Sequence, residues 1–288
     1  MSRKNTTLKW GERTYVMGII NLTPDSFSGD GLIKGGDIAD AALLEAQRFV
    51  HEGADIIDLG AESSRPGSDP VDAKTELARL IPALEAIVHA DLDILLSIDT
   101  YKSRVAEETL RRGADWINDI WGLTADPDLG AVVAKYQSSI ILMHNRSERK
   151  KVESSQKLGN RYTHMKYRDL IQDIISELQD SIKTARKHGI EKEKIIIDPG
   201  IGFGKSVEQN LELMRRLQSF KKMGYPLLIG PSRKSFIGYT LNLSPEDRLE
   251  GTAAAVAIGI ANGADIVRVH DVKEMVRVAK MTDAIIRQ

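Results

Sequence analysis

The sequence contains no cysteine. That excludes a disulfide framework, a zinc–thiolate centre and a cysteine nucleophile together; it is neutral on compartment, though it fits a reducing cytosol. Neither sign of charge is in excess. Forty Lys and Arg face 41 Asp and Glu, so at a formal net charge of −1 no global field draws the chain to nucleic acid or an anionic membrane. Long apolar runs are also missing. None approaches the ~20 residues of a membrane span, and the polar stretch Met1–Trp10 lacks the apolar centre of a secretory signal. No like-charge block stands out beyond Arg149–Lys151, and no linker breaks the chain. What remains is an enzyme-sized, cytoplasmic chain of 288 residues, expected as one domain over 1–288. That length suits one α/β barrel, which takes about 250 residues.

Two kinds of segment alternate. Eight short β-rich runs occur at Tyr15–Ile20, Ile56–Gly60, Ile94–Ile98, Trp116–Ile120, Ser139–Met143, Ile195–Asp198, Leu227–Gly230 and Ile266–Val269. Most are apolar without alternation, as expected of parallel strands covered on both faces. Between them, apolar residues recur every three or four positions. The spacing predicts helices over Ile38–Glu52, Lys74–His89, Lys102–Arg112, Asp128–Tyr136, Tyr167–Lys187, Val207–Lys222, Pro245–Asn262 and Val272–Ile286. Pro82 is expected to interrupt or kink the second.

A weak repeat supports this order. Gly53-Ala54-Asp55, Gly113-Ala114-Asp115 and Gly263-Ala264-Asp265 each fall between a helix and a strand, where glycine can take the left-handed conformation that ends a helix. His188-Gly189 and Met223-Gly224 do the same in two other units. Short links between helix and strand mean parallel strands and right-handed crossovers. Eight such units favour a closed ring of strands, the TIM (β/α)8 barrel, over an open doubly wound sheet. Leu8–Thr14 reads as a short N-terminal lead-in β-hairpin. The polar stretch 145–166 reads as a surface loop.

Barrel active sites sit at the C-terminal ends of the strands. Here every strand delivers polar groups to that end: Asn21 after the first, Glu62-Ser63-Ser64-Arg65-Pro66-Gly67 after the second, Asp99 after the third, Asn118 and Asp119 on the fourth. His144 follows the fifth, Asp198-Pro199-Gly200-Ile201-Gly202-Phe203-Gly204-Lys205 closes the sixth, Ser232-Arg233-Lys234-Ser235 follows the seventh, and Arg268, His270 and Asp271 lie on or after the eighth. Singly, Asp99, Asp271 or Ser206 reads equally well as a helix cap. The full set at one rim is harder to dismiss.

These residue types suit particular chemistry. Asp99, Asn118 and Asp198 fit a flat heterocycle with adjacent ring N–H and amino donors, because an ionised carboxylate accepts two donors at once. Arg65, Arg268, His270 and the glycine-rich loops supply anion-binding groups, and Asn21 is a plausible oxygen ligand for Mg²⁺, which takes few protein ligands. Lys234 suits a Schiff base, a phosphate contact or a substrate clamp, with Arg233 beside it to depress the amine pKa if both are buried. Phe27 and Pro66 fit an apolar slot for an aromatic ring.

In this order the strings Met17–Ser28, Glu62–Gly67, Ser97–Thr100, Ile117–Asp119, Asp198–Lys205, Ser232–Ser235 and Arg268–Asp271 resemble the dihydropteroate synthase family over residues 14–275. The resemblance implies a TIM barrel that condenses a dihydropterin methyl diphosphate with 4-aminobenzoate, after loss of diphosphate has left a pterin-stabilised cation. It implies a pterin pocket of Asp99, Asn118, Met143, Asp198, Phe203 and Lys234. Asn21, Ser64, Arg268 and His270 would hold the diphosphate and Mg²⁺, with Asn21 on the metal. Phe27, Ser64, Arg65, Pro66 and Ser235 would line the aminobenzoate slot. The catalytic set is Asp99, Asp198, Lys234, Arg268 and His270. A homodimer is implied, and the apolar last two helices allow it. The chain departs from the family at Ser64, where many members have threonine, and at Gly29-Asp30, where the order is usually reversed. Sulfonamide drugs mimic the aminobenzoate, and whether the chain is a drug-insensitive variant stays open. Three rivals are a pterin-binding methyltransferase, a silent pterin-binding subunit and a Lys234 aldolase. The Ser-Arg-Pro-Gly and Ser-Arg-Lys-Ser strings weigh against the first, and the retained Asn21, Lys234, Arg268 and His270 against the second.

Overall fold

The computed structural model describes residues 8–23, 38–148, 151–162 and 165–287. The barrel strands are β1 (Tyr15–Asn21), β2 (Ile56–Gly60), β3 (Leu95–Asp99), β4 (Trp116–Asp119), β5 (Ser139–Met143), β8 (Ile195–Asp198), β9 (Leu228–Ile229) and β10 (Ile266–Val269). All are parallel, in the order β8-β5-β4-β3-β2-β1-β10-β9. A bridge between Ile197 and Leu227 joins the two ends, with the Ile197 N–H 3.0 Å from the Pro226 carbonyl. The expected TIM (β/α)8 barrel is present, and the open sheet is not.

Side chains alternate along a strand, and here the two faces have different fates. Val16, Ile57, Leu96, Ile117, Ile140, Ile195, Ile229 and Val267 face outward into a core shared with the surrounding helices. Met17, Ile56, Trp116, Ile141, Ile196, Leu228 and Ile266 face inward and fill the lower barrel. Two residues further along five of the eight strands, the inward face turns polar, with Asp58, Ser97, Asn118, Asp198 and Arg268. The site is therefore the upper part of the same face that packs the barrel below.

The surrounding helices are α1 (Ile38–Glu52), α2 (Ala73–His89), α3 (Ser103–Arg111), α4 (Leu129–Lys135), α5 (Leu170–Lys187), α6 (Val207–Arg215), α7 (Gln218–Lys221), α8 (Ser235–Leu241), α9 (Leu249–Ala261) and α10 (Val272–Ile286). Their buried faces carry Phe49 and Phe220 among the largest fully buried side chains, each contributing roughly 1.5–3 kcal/mol by burial.

The Gly-Ala-Asp repeat has two functions. Gly53, Gly113 and Gly263 sit at φ +96°, +103° and +101°, ending their helices as expected. The aspartate then ties down the start of the preceding strand. Asp55 accepts from the Val16 N–H at 2.9 Å, Asp115 from Leu96 at 2.8 Å and Asp265 from Leu227 at 2.9 Å. One carboxylate thus serves an otherwise unpaired strand-end donor at three places on the lower rim.

Four expectations are corrected. Leu8–Thr14 forms no strand and hence no hairpin. It makes a turn at Gly11, and Trp10 lies edge-on to Tyr15 at 5.6 Å beneath the barrel. Pro82 does not interrupt α2, which runs through it. The long sixth helix is two, α6 and α7, because bonds tighten to three-residue spacing from Arg216 to Ser219 and from Leu217 to Phe220. The stretch 145–166 is more than a surface loop. Its described part holds an antiparallel pair, β6 (Val152–Glu153) and β7 (Arg161–Tyr162), with Tyr162 buried. Strands of two residues are too short to leave a periodic signal.

Candidate active site at the mouth of the barrel

Arg268 is the hub of the polar layer. Its Nε donates to Asp58 Oδ2 at 2.6 Å and its Nη2 to Asp99 Oδ2 at 2.7 Å. Asp58 Oδ2 also accepts from Asn118 Nδ2 at 3.0 Å. Burial pulls the Arg268 pKa down, but Asp58 and Asp99 outweigh it and the guanidinium stays charged. Burial pushes Asp99 up, and Arg268 pulls it part of the way back. Asp99 thus belongs to the polar layer at the mouth and is not a cap; Lys102 occupies the cap position of α3.

Asp198 closes β8. Burial raises its pKa, opposed by the Gly200 N–H donating to Oδ1 at 2.7 Å and by the nearby Lys234. The following loop needs its glycines. Gly200 and Gly202 take φ +72° and +84°, and a Cβ at Gly200 would fall 1.9 Å from the His144 carbonyl oxygen. A Cβ at Gly202 would strike the Lys234 side chain at 2.6 Å. The loop thus lies directly on the groups it positions.

Lys234 comes from the loop after β9, which the closing bridge sets beside β8. Arg233 before it takes the left-handed conformation, φ +54°. The Lys234 ammonium donates to the Ile201 carbonyl and lies 4.1 Å from the centre of the Phe203 ring. Burial drives its pKa down to about 7, with Asp198 and Asp99 raising it and Arg268 lowering it. The expected influence of Arg233 is not found. That guanidinium turns away to Asp271, Nε to Oδ2 at 3.0 Å, and the depressing cation is Arg268.

His270 is neutral: burial, then Arg268, lowers its pKa to about 3. Ser232 Oγ accepts from the His270 backbone N–H at 3.2 Å and lies 3.0 Å from Nδ1. The hydroxyl's own hydrogen is thus available to Nδ1, which leaves Nε2 as the N–H nitrogen.

The remaining expected residues take their places around this layer. Met143 and Phe203 form an apolar cluster with Tyr162. Asn21 Oδ1 and Asp99 converge over Gly60, where a Cβ would lie 3.7 Å from the first and 3.4 Å from the Asp99 Cβ. Ser64 lines a cleft with Phe203, Trp121 and Tyr162. Arg65 is exposed, with no ion pair among the described residues, and acts electrostatically on His270. Ser235 opens α8 beside Lys234. Phe27 and Asp30 lie outside the described residues.

Sequence reasoning missed three elements. Asp58 is one; a lone carboxylate in the run Ile56-Ile57-Asp58-Leu59-Gly60, on the inward parity, was the available signal. The second is Lys205, a buried lysine whose Nζ donates to the Gly200 and Phe203 carbonyls at 2.9 and 3.0 Å. The third is the β6–β7 hairpin. Asn160 Nδ2 donates to the Pro66 carbonyl at 3.1 Å, and Tyr162 lies 6.5 Å from Phe203, ring centre to ring centre. Arg248 fixes the far side, donating to the carbonyls of Leu158 and Arg233, both at 2.8 Å. The hairpin so joins the Ser-Arg-Pro-Gly and Ser-Arg-Lys-Ser loops.

A barrel whose mouth gathers carboxylates, an amide and a lysine, with cations beside them, defines a class. The chain belongs to the pterin binding enzyme family, whose profile matches residues 17–270. Within that family it resembles dihydropteroate synthases. The enzyme of Clostridium beijerinckii is 49% identical over 279 residues, 96% of each chain. The solved dihydropteroate synthase of Clostridium difficile, in the presence of pteroic acid, is 46% identical with a TM-score of 0.86, covering 98% of this chain and 100% of that one. That of Yersinia pestis, in a sulfonamide drug complex, is 38% identical with a TM-score of 0.88, covering 100% and 99%.

Proposed function

We propose that the chain condenses a dihydropterin methyl diphosphate with 4-aminobenzoate, giving dihydropteroate and diphosphate. The observation that carries this reading is the convergence of Asp99, Asn118, Asp198, Lys234 and Arg268 in one mouth, with the anion-binding groups at its edge.

The pterin ring lies over the polar layer, its donor edge on Asp198 and Asn118, between Met143 and Phe203. The diphosphate meets Ser64, the N–H of neutral His270 and the Arg268 donors not engaged by Asp58 and Asp99. The C–O bond to diphosphate breaks first. Negative charge grows on the leaving group, where preorganised donors act most strongly, and the cation left on the methylene spreads into a ring beside Asp198. The aromatic amine, held near Arg65, Pro66 and Ser235, attacks that carbon and loses a proton. No strong general base is needed.

A divalent ion fits the donor set. Among the described residues no group of three or more His, Cys, Asp or Glu could hold a metal. Asn21 offers one hard oxygen beside Asp99, which suits Mg²⁺, an ion that keeps waters and substrate oxygens as most of its ligands. Bound there, Mg²⁺ would offset charge on the departing diphosphate.

The exposed apolar side chains of Ile258 on α9 and of Met281 and Ile285 on α10 support a homodimer through these helices; sedimentation velocity tests it. Among the described residues no helix is long and apolar enough to cross a membrane.

Purified protein given both substrates and Mg²⁺ is expected to release dihydropteroate and diphosphate in equal amounts, and EDTA is expected to stop it. Folded protein that forms no product would contradict the reading. Repeating the assay with a sulfonamide tests whether the slot admits the mimic.

A further inference from the structure

Asp58 lies in the middle of β2, fully buried and one inward step below Gly60, which pairs with Asp99. A carboxylate at such a place is expensive unless it is paired and hydrogen-bonded. Only Oδ2 is engaged, by Arg268 Nε at 2.6 Å and Asn118 Nδ2 at 3.0 Å, while Oδ1 has no hydrogen-bond partner among the described residues. The arrangement does not satisfy Asp58 for its own sake. It constrains the two groups above.

The consequence for Asn118 is specific. A side-chain amide can present either its oxygen or its nitrogen to a ligand, and the two differ by a flip. A carboxylate paired with a guanidinium only accepts. Asp58 therefore holds Nδ2 on its own side and leaves Oδ1 to accept from the ligand. Asp198 likewise accepts, so the pocket offers two acceptors to a ring edge carrying N–H and NH₂ donors. With the amide flipped, Asn118 would set a donor against those donors.

We infer that Asp58 is a positioning residue that fixes the polarity of Asn118, and with it the pocket's preference for a donor-rich ring edge, while anchoring Arg268 between two carboxylates. This rests on the functional reading above and adds a residue that touches no substrate.

The test uses Asp58→Asn, Asn118→Asp and the double exchange, with two readouts: affinity for 6-hydroxymethylpterin by calorimetry, and KM for 4-aminobenzoate at saturating pterin diphosphate. Asp58→Asn frees the amide to flip and is expected to weaken pterin binding by roughly tenfold or more, the worth of one good hydrogen bond, with the aminobenzoate KM little changed. Asn118→Asp sets two carboxylates face to face and is expected to lose binding. The double exchange restores one donor opposite one acceptor and is expected to recover affinity toward wild type, even if Asp58→Asn alone does not fold. Wild-type pterin affinity in Asp58→Asn would overturn the inference, as would a double exchange no better than Asn118→Asp, folded or not. Wild-type protein that binds 6-hydroxymethylpterin but makes no dihydropteroate would instead sink the functional reading and leave this test standing.

Discussion

The Nζ of Lys205 lies 3.0 Å from Nδ1 of His144, in the buried layer under the loop that follows β8. Burial lowers Lys205 to about 7, and burial, then Lys205, lowers His144 to about 4. His144 Nε2 is 3.1 Å from Glu177 Oε2, and Arg146 Nε donates to Glu177 at 2.8 Å. The cluster connects the loop after β8 to α5. Lys205→Met keeps most of the apolar stem and removes the donor; the Gly200 carbonyl keeps the Phe203 N–H at 3.1 Å, while the Phe203 carbonyl loses the bond from Lys205. An unpaired buried acceptor costs about 1–3 kcal/mol. A lower melting temperature and a raised pterin KM are expected. Calorimetric melting and steady-state kinetics check both, and an unchanged KM would detach this cluster from substrate binding.

Lys234 gives a pH signature. Its pKa in the folded chain is about 7, so the ammonium is present below that value and lost as pH rises through it. The kcat/KM for the pterin diphosphate is expected to fall on the alkaline side of neutrality. Lys234→Arg, charged throughout, is expected to have a lower ceiling and no such limb. A limb that persists unchanged in the variant belongs to another group.

The lower rim separates stability from activity. Asp265 accepts from the Leu227 N–H at 2.9 Å and from Lys221 Nζ at 2.8 Å. Asp265→Ala leaves that N–H unpaired where β9 begins, for about 1–3 kcal/mol. Lys221 is partly exposed and can turn to water, so its loss adds little. A lower denaturant midpoint with both KM values unchanged is expected. Altered KM would mean that the rim communicates with the mouth.

The β6–β7 hairpin is expected to matter to the second substrate. Tyr162→Ala removes the ring packed against Phe203 and loosens the strap that Asn160 makes to Pro66. An aromatic pair is worth about 1 kcal/mol, so a rise on the order of fivefold in the aminobenzoate KM is expected. Tyr162→Phe should restore it, and equal kinetics in the Ala variant would assign the hairpin to stability alone.

Most of the fold was legible because it rests on strong local signals. α1, α10 and strands β2, β5, β8 and β10 fall at the bounds their patterns suggest, and the helix-ending glycines do what glycine alone does easily. The polar rim was legible because strand ends carry it. What was not legible depends on three-dimensional closure. Asp58 is separated from Arg268 by 210 residues and meets it only when β2 and β10 enter one barrel. Lys205 looked like one more residue of a glycine-rich turn, and its burial beside His144 follows from how β5 and β8 pair. α8 is a seven-residue helix, two turns long, whose buried hydrophobic side chains, Phe236 and Ile237, are adjacent, too little to show a period.

The central claim is that a pterin lies on the Asp99–Asn118–Asp198 layer with its substituent toward Ser64 and Arg65. A crystal structure with pteroic acid soaked in measures this most directly. Density for the bicyclic ring within hydrogen-bonding distance of Asp198 and Asn118, with the benzoate reaching the second-strand loop, is the result this account requires. Clear density for the ring anywhere else, with the mouth left to solvent, would contradict it.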